Sequence, residues 1–301
     1  MQDLKNGFRI ITVFLPIALA IIMAGLGLEL RPQDFTRVAK HPKAVLLALV
    51  CQLVILVGIA FFICKLLSLS SLLAVGLMLL AASPGGPTAN LFSYLYQGDI
   101  ALNITLTAIN SVIAAFTLPF IVNLAIQHFI NDGQQLGLQF SKVIQVFLII
   151  LVPVCLGMII RHTLPRLADR LHKPVRNFAV VFLVFIILAA LTRERHNIME
   201  YITQVGLATA LFCFASLFIG YFVPRYFGIN STQARACAFE IGIHNSTLAM
   251  TIALTILSST TIAMPAAIYS IFMYIFAALF GSMLKRYSPI TTENKMAIKT
   301  E

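Results

Sequence analysis

The chain has 301 residues, of which 59% are hydrophobic and 11% are charged, and its formal net charge is +10. Such a composition excludes a soluble globular domain and predicts an all-α polytopic membrane protein. The positive charge does not indicate a nucleic-acid partner, because no basic patch with interleaved aromatic residues accompanies it.

Apolar runs of about 20 residues, the length that crosses the hydrocarbon core of a bilayer, recur along the chain. They predict about nine transmembrane helices, followed by a polar cytoplasmic tail at residues 289–301. The predicted spans are Arg9–Leu30, Val45–Leu67, Leu72–Leu95, Ala101–Phe129, Val143–Ile160, Val175–Thr192, Leu207–Val223, Ala236–Leu257 and Ile262–Leu284.

The basic residues predict the orientation, because Lys and Arg accumulate in the cytoplasmic loops of membrane proteins. With nine spans, fifteen of the 21 Lys and Arg residues fall in loops on the side of the C-terminus. Arg235, which directly precedes the eighth predicted span, is one of the fifteen. We therefore predict an outside N-terminus and a cytoplasmic C-terminus, in the cytoplasmic membrane of a bacterium.

The third predicted span contains the run AASPGGPTANLFSYL. Proline removes an amide donor and clashes with the preceding helical turn, and glycine is a weak helix former, so the helix should break at Pro84–Pro87. Pro87 suits the first position of a second helix, which would place Asn90 in its opening turn. Unwound backbone at membrane depth is tolerated where it is buried in protein or lines a cavity.

The eighth predicted span contains FEIGIHNSTLAM, in which Glu240 interrupts apolar sequence. An ionised carboxylate is costly inside a bilayer, so such a residue usually faces a cavity, a partner or an ion. Ser246 and Thr247 can cap a helix that restarts after Gly242 and Asn245. The alternative is that Glu240 is a structural carboxylate that is merely paired with another group inside the bundle.

Two interrupted helices in corresponding halves of the chain indicate a secondary transporter built from inverted repeats. Half-helix N-termini carry partial positive charge and suit a carboxylate, whereas half-helix C-termini and unwound carbonyls suit a cation. We therefore predict that Glu240 binds a coupling ion, and that helix starts near Pro87 and Asn245 bind an organic anion.

Several segments resemble, in order, those of the bile acid:sodium symporter family. They are PGGPTAN at Pro84–Asn90, YQGDIALNITLT at Tyr96–Thr107 and EIGIHNS at Glu240–Ser246. The similarity also covers IIMAGLGLELRPQDF at Ile21–Phe35 and HPKAVLLALVCQ at His41–Gln52. The resemblance implies two crossed broken helices and the cotransport of organic anions with sodium by alternating access.

The resemblance also implies how one transmembrane transporter domain, residues 1–288, is divided. Panel helices would lie at about 9–30, 143–160 and 175–192, and core helices at about 45–129 and 207–284. We expect a monomer that is not an enzyme and that needs no cofactor besides sodium as coupling ion.

Two sodium sites follow from the resemblance. The family frequently has a serine where this chain has Ala89, so Thr88 or a water molecule would have to supply that hydroxyl. The first site would use the side chains of Asn90, Asn103, Thr107 and Glu240.

The second sodium site would use Gln52, Glu240 and the carbonyl oxygens of Ile241 and Ile243. His244 stands where the family usually has a glutamine. An imidazole lacks the amide oxygen and can change its charge near physiological pH. We therefore expect a weakened second site, whose sodium affinity falls as the pH drops from about 8 to about 6.

The cargo would be a bile-acid-type anion or a small carboxylate such as pantoate or a keto acid, and we favour the small carboxylate. A proton-coupled carrier that uses Glu240 and His244 is the nearer alternative, and a membrane-embedded enzyme is a remote one. The polar side chains of Asn90, Asn103, Thr107 and Gln52 could also serve only as interhelical hydrogen-bonding groups. The predicted substrate residues are Pro87, Thr88, Asn90, Asn245 and Ser246.

Overall fold

The computed structural model describes residues 17–25, 27–28, 37–86, 88–130, 140–193 and 198–287, which are almost entirely helical. Within these ranges no strand forms, and an isolated bridge pairs Gly85 with His244. Residues 17–25 and 27–28 form α1. The remaining helices are α2 (Pro42–Leu66), α3 (Ser71–Ala82), α4 (Thr88–Leu95), α5 (Ile100–Phe129), α6 (Phe140–Thr163), α7 (Pro165–Arg193), α8 (Ile198–Tyr226), α9 (Ser231–Gly242), α10 (Ser246–Thr255) and α11 (Thr260–Tyr287).

Four helices are long and apolar enough to cross a membrane, judged by length and composition: α2, α5, α11 and residues Met199–Tyr226 of α8. Helices α3 and α10 and residues Leu151–Thr163 of α6 are shorter apolar helices. This pattern agrees with a polytopic membrane protein, while the number of nine spans stays a prediction. Helix α7 begins well before the predicted start at Val175, because Pro165 is favourable in a first helical turn.

Both predicted helix breaks are confirmed. Helix α3 ends at Ala82 and α4 begins at Thr88, whereas α9 ends at Gly242 and α10 begins at Ser246. Pro87, predicted to start α4, lies outside the described residues. The third and eighth predicted spans are therefore each made of two short helices.

Three of the four short helices that form the broken helices, α3, α9 and α10, lie at the centre of the described structure, whereas α4 is partly exposed. All residues of Leu73–Ala82, Ala234–Gly242 and Ser246–Ala253 are buried. Helix α11 packs along α3, α8 and α10, and α5 packs against α3 and α9. Phe62 on α2 and Phe120 on α5 are exposed, as expected of faces turned toward lipid.

The division into core and panel domains stays a prediction. Helices α6 and α7, two of the predicted panel helices, contact each other. The polar tail at residues 289–301 and residues 9–16 of the first predicted span lie outside the described residues.

The assignment of Arg235 to a cytoplasmic loop is wrong. Arg235 lies within α9, and none of its surface is exposed. Its guanidinium donates hydrogen bonds to the carbonyl oxygen of Tyr96 at 2.7 Å and to that of Leu284 at 3.0 Å. These backbone acceptors offset the cost of burying the charged group, so α9 accommodates it inside the bundle.

Candidate functional site

The two helix breaks cross and hydrogen-bond to each other through their backbones. The Gly86 amide donates to the Ile243 carbonyl oxygen at 2.8 Å, and the Asn245 amide donates to the Pro84 carbonyl oxygen at 2.8 Å. The pairing is antiparallel. The two breaks thus satisfy some of each other's backbone hydrogen-bonding groups, which allows the chain to stay unwound inside the protein.

Glu240 lies at this crossing, and none of its surface is exposed. The Thr107 hydroxyl donates to its Oε2 at 2.5 Å, and the Asn110 side-chain amide donates to its Oε1 at 3.2 Å. The backbone of Gly85 also lies against this carboxylate, since a Cβ atom added to Gly85 would stand 2.3 Å from Oε1. The carboxylate is therefore held by α5 on one side and by the break after α3 on the other.

Asn103 connects three helices near the same site. Its amide nitrogen donates to the Ser93 hydroxyl and to the carbonyl oxygens of Ala89 at 3.4 Å and Ala236 at 3.2 Å. Asn103 is fully buried. It therefore holds α4 and α9 against α5.

Gln52 and His244 form a second polar cluster. The π-helical segment Cys51–Ile55 within α2 contains Gln52. The Gln52 amide nitrogen donates to the carbonyl oxygens of Ala81 at 3.2 Å and Ser83 at 3.1 Å. It also lies 3.4 Å from Nε2 of His244.

The other side of the His244 ring faces Tyr269. His244 Nδ1 lies 3.1 Å from the Tyr269 hydroxyl, which donates to the Gly242 carbonyl oxygen at 2.9 Å. With that hydroxyl proton engaged, the consistent assignment has Nδ1–H donating to Tyr269 and an unprotonated Nε2 facing the Gln52 amide nitrogen, whose two protons are shared with the Ala81 and Ser83 carbonyl oxygens. Each ring nitrogen thus faces a polar group of the cluster.

The buried side-chain oxygens fit a sodium ion. Hard cations prefer carboxylate, amide and carbonyl oxygens as ligands. Among the described residues, four buried amide oxygens have no hydrogen-bond partner although native structures pair most such atoms. They belong to Gln52, Asn90, Asn103 and Asn110.

The start of α10 offers donors to an anion. The Asn245 side-chain oxygen caps α10 by accepting from the Leu248 amide at 3.0 Å, while its Nδ2 has no partner among the described residues. The Ser246 hydroxyl donates to the sulfur of Met273 at 3.8 Å. Helix α4 begins close by, since Gly86, two residues before its start, donates its backbone hydrogen bond to Ile243 in the α9–α10 break.

The structure brings most predicted site residues together. Thr107 contacts Glu240, and Gln52 approaches His244. Asn103 lies where α4 and α5 meet, and Asn90 is in the first turn of α4. Ile241 is buried in the last turn of α9, and the Ile243 carbonyl accepts a bond from Gly86. Thr88 is the first residue of α4, next to the fully buried Ala89.

Sequence reasoning missed Asn110 and Tyr269. The signal for Asn110 was present, because Asn103, Thr107 and Asn110 follow the i, i+4, i+7 spacing of one helix face. Tyr269 carried no such signal, since a tyrosine in an apolar helix is compatible with ordinary packing.

Crossing broken helices around a buried charged group are typical of secondary transporters. The chain belongs to the Sodium Bile acid symporter family, which matches residues 16–201. The protein is therefore a sodium symporter embedded in a membrane and not an enzyme.

Relatives match this chain over most of its length. The uncharacterized sodium-dependent transporter YocS of Bacillus subtilis is 26% identical over 290 residues, which cover 96% of this chain and 87% of the relative. The probable sodium/metabolite cotransporter BASS1 of Arabidopsis thaliana chloroplasts is 27% identical over 279 residues, covering 92% and 68%. The human ileal sodium/bile acid cotransporter is 24% identical over 294 residues, covering 96% and 83%.

Proposed function

We propose that this protein moves organic anions together with sodium by alternating access. The observation that supports this most directly is the position of Glu240 at the crossing of the two helix breaks. A buried carboxylate beside the Asn110 amide, whose oxygen lacks a partner among the described residues, offers a cation both charge and ligands. Sodium would neutralise this carboxylate in the ion-bound state.

The proposed cargo is an organic carboxylate, bound by Thr88, Asn90, Asn245, Ser246 and Pro87. Helix N-termini attract anions, and the N-termini of α4 and α10 lie near each other here. The unpartnered Nδ2 of Asn245 adds a neutral donor. We favour a small hydroxy or keto acid such as pantoate over a bile-acid-type anion, in line with the sodium/metabolite relatives.

Coupling follows from charge. Without a cation, the Glu240 carboxylate would repel an anion nearby, and bound sodium removes this repulsion. Sodium and the anion therefore raise each other's affinity by the same factor. We further propose that a monomer works by relative motion of the core and panel helices, built as inverted repeats, with the N-terminus outside and the C-terminus in the cytoplasm of a bacterial cell.

The proton-coupled alternative is not favoured. The predicted relay between Glu240 and His244 needs the two side chains to face each other. Instead, the Glu240 oxygens face Thr107 and Asn110, whereas the His244 nitrogens face Tyr269 and Gln52. The relatives named above are also described as sodium-dependent or sodium-coupled carriers.

Uptake by purified protein in liposomes tests the proposal. Labelled pantoate, pyruvate and cholate would be offered under an inward sodium gradient, with potassium or choline replacing sodium in parallel vesicles. We expect saturable uptake of at least one carboxylate, driven by the sodium gradient. Equal uptake without sodium under an inward proton gradient would support the proton-coupled alternative and contradict the proposal.

A further inference from the structure

We propose that Asn110 is a further cation-binding residue, whose side-chain oxygen ligates the sodium ion held by Glu240. This inference rests on the proposed sodium coupling. Asn110 lies on α5 one helical turn beyond Thr107, so both side chains point to the same side of the helix. The two residues engage different oxygens of the Glu240 carboxylate.

The surroundings of Asn110 leave half of its amide unused. Only 1% of its surface is exposed. Its Nδ2 donates to Glu240 Oε1, but its Oδ1 has no hydrogen-bond partner among the described residues. Leaving a buried acceptor unsatisfied is unfavourable, so this oxygen is expected to meet a ligand during the transport cycle.

A cation is the ligand that this arrangement favours. An amide oxygen and a carboxylate next to each other are a donor set for a hard cation. An anion would be repelled by Glu240, and the site is closed to bulk solvent because both residues are buried.

Rotation of the amide would let Asn110 serve both states. The oxygen and nitrogen of an asparagine amide occupy nearly equivalent positions, so half a turn about the last side-chain bond exchanges them. The Asn110 oxygen would then stand near the present Nδ2 position, 3.2 Å from Glu240 Oε1. Two oxygens at that separation repel unless a cation lies between them and binds both.

Asn110 thus donates to Glu240 when the cation is absent and ligates the cation when it is present. A residue that only positions Glu240 would need the amide donor alone. The two roles differ in which atom of the side chain matters. Asn110→Asp keeps oxygens and loses the donor, whereas Asn110→Leu loses both.

Ser111→Ala is the matched control. Ser111 follows Asn110 on α5 and is 5% exposed, but its hydroxyl donates within the helix to the Thr107 carbonyl oxygen at 2.7 Å. This substitution removes a buried polar group from the same turn without altering the contacts of Glu240.

The test is sodium-22 binding to the purified protein, with lithium as competitor. We expect Asn110→Leu to weaken sodium binding by about tenfold and to change the lithium-to-sodium affinity ratio, while Asn110→Asp binds sodium at least as well as the unmodified protein. Ser111→Ala should match the unmodified protein.

Equal binding by Asn110→Leu and Ser111→Ala would overturn the inference. So would an equal loss in Asn110→Asp and Asn110→Leu, or an unchanged lithium-to-sodium ratio, because these results assign the role to the amide donor. Failure of the unmodified protein to bind sodium at all would instead contradict the proposed function. The two failures are therefore distinguishable.

Discussion

The backbone of Gly85 lies directly against the carboxylate of Glu240. A Cβ atom added to Gly85 would stand 2.3 Å from Glu240 Oε1 and 2.6 Å from Oε2. Gly86 is different, since its added Cβ would come no closer than 3.4 Å, to the His244 carbonyl oxygen. Glycine at position 85 therefore permits the close approach of the two helix breaks, whereas Gly86 has room for a methyl group.

This difference predicts unequal effects of alanine at the two positions. Gly85→Ala should displace the carboxylate and lower sodium affinity by about tenfold or more, since overpacking a site costs about 1–3 kcal/mol. Gly86→Ala should retain most of the sodium affinity. Sodium titration of uptake in liposomes measures both. Similar sodium affinities in the two variants would show that the contact with Glu240 is unimportant.

Asn245 predicts a way to weaken anion binding without disturbing the helix. Asn245→Asp keeps the oxygen that caps α10 but replaces the unpartnered Nδ2 with a carboxylate oxygen. The added negative charge should raise the KM for the carboxylate about tenfold or more while sodium still binds. The measurement is substrate titration at saturating sodium.

The control for this substitution is Asn230→Asp. Asn230 caps α9 in the same way, because its side-chain oxygen accepts from the backbone amide of Gln233 at 2.8 Å. It lies at the end of α9 that is far from the crossing. Its KM should stay unchanged. An unchanged KM in Asn245→Asp as well would place the anion elsewhere.

His244 predicts how the second sodium site differs in this chain. His244→Gln would supply an amide oxygen beside the unpartnered Gln52 Oε1. We expect tighter sodium binding, since the amide adds an oxygen ligand that the imidazole lacks. Sodium titrations of both proteins under the same conditions measure this. Identical curves would make His244 a packing residue that hydrogen-bonds Tyr269.

The helix breaks could be predicted because their cause is local. Pro84, Gly85, Gly86 and Pro87 cannot continue a helix whatever surrounds them, and Glu240 in an apolar run indicates a partner. The crossing itself could not be predicted from local sequence. It depends on backbone hydrogen bonds between segments about half the chain apart, which no local pattern encodes.

Arg235 shows the opposite limit. Counting basic residues placed it in a loop, because the positive-inside rule treats every Arg near a span end alike. Its position in α9 depends on carbonyl acceptors supplied by Tyr96 and Leu284, which are distant in sequence. Asn110 is different, because its spacing from Asn103 and Thr107 already placed it on their helix face, although its contact with Glu240 is visible only in the structure.

Arg235 also predicts a stability effect. Arg235→Leu leaves two buried carbonyl oxygens without this donor, and each hydrogen bond to a charged group contributes about 1.5–3 kcal/mol. We expect a clear fall in the thermal unfolding temperature in detergent, with a smaller fall for Arg235→Lys, which cannot reproduce the planar fork. Arg225→Gln, at an exposed position, is the control. Equal unfolding temperatures for Arg235→Leu and Arg225→Gln would contradict this role.

The most direct test of the account is sodium-gradient-driven uptake by Glu240→Gln in liposomes. This substitution removes the negative charge from the crossing and changes the shape of the side chain little. Because the loss of one partner from a buried ionic contact costs about 3–5 kcal/mol, sodium stimulation should fall by about a hundredfold or more, although the protein still inserts into the membrane. Sodium stimulation in Glu240→Gln equal to that of the unmodified protein would contradict the claim that this carboxylate holds the coupling ion.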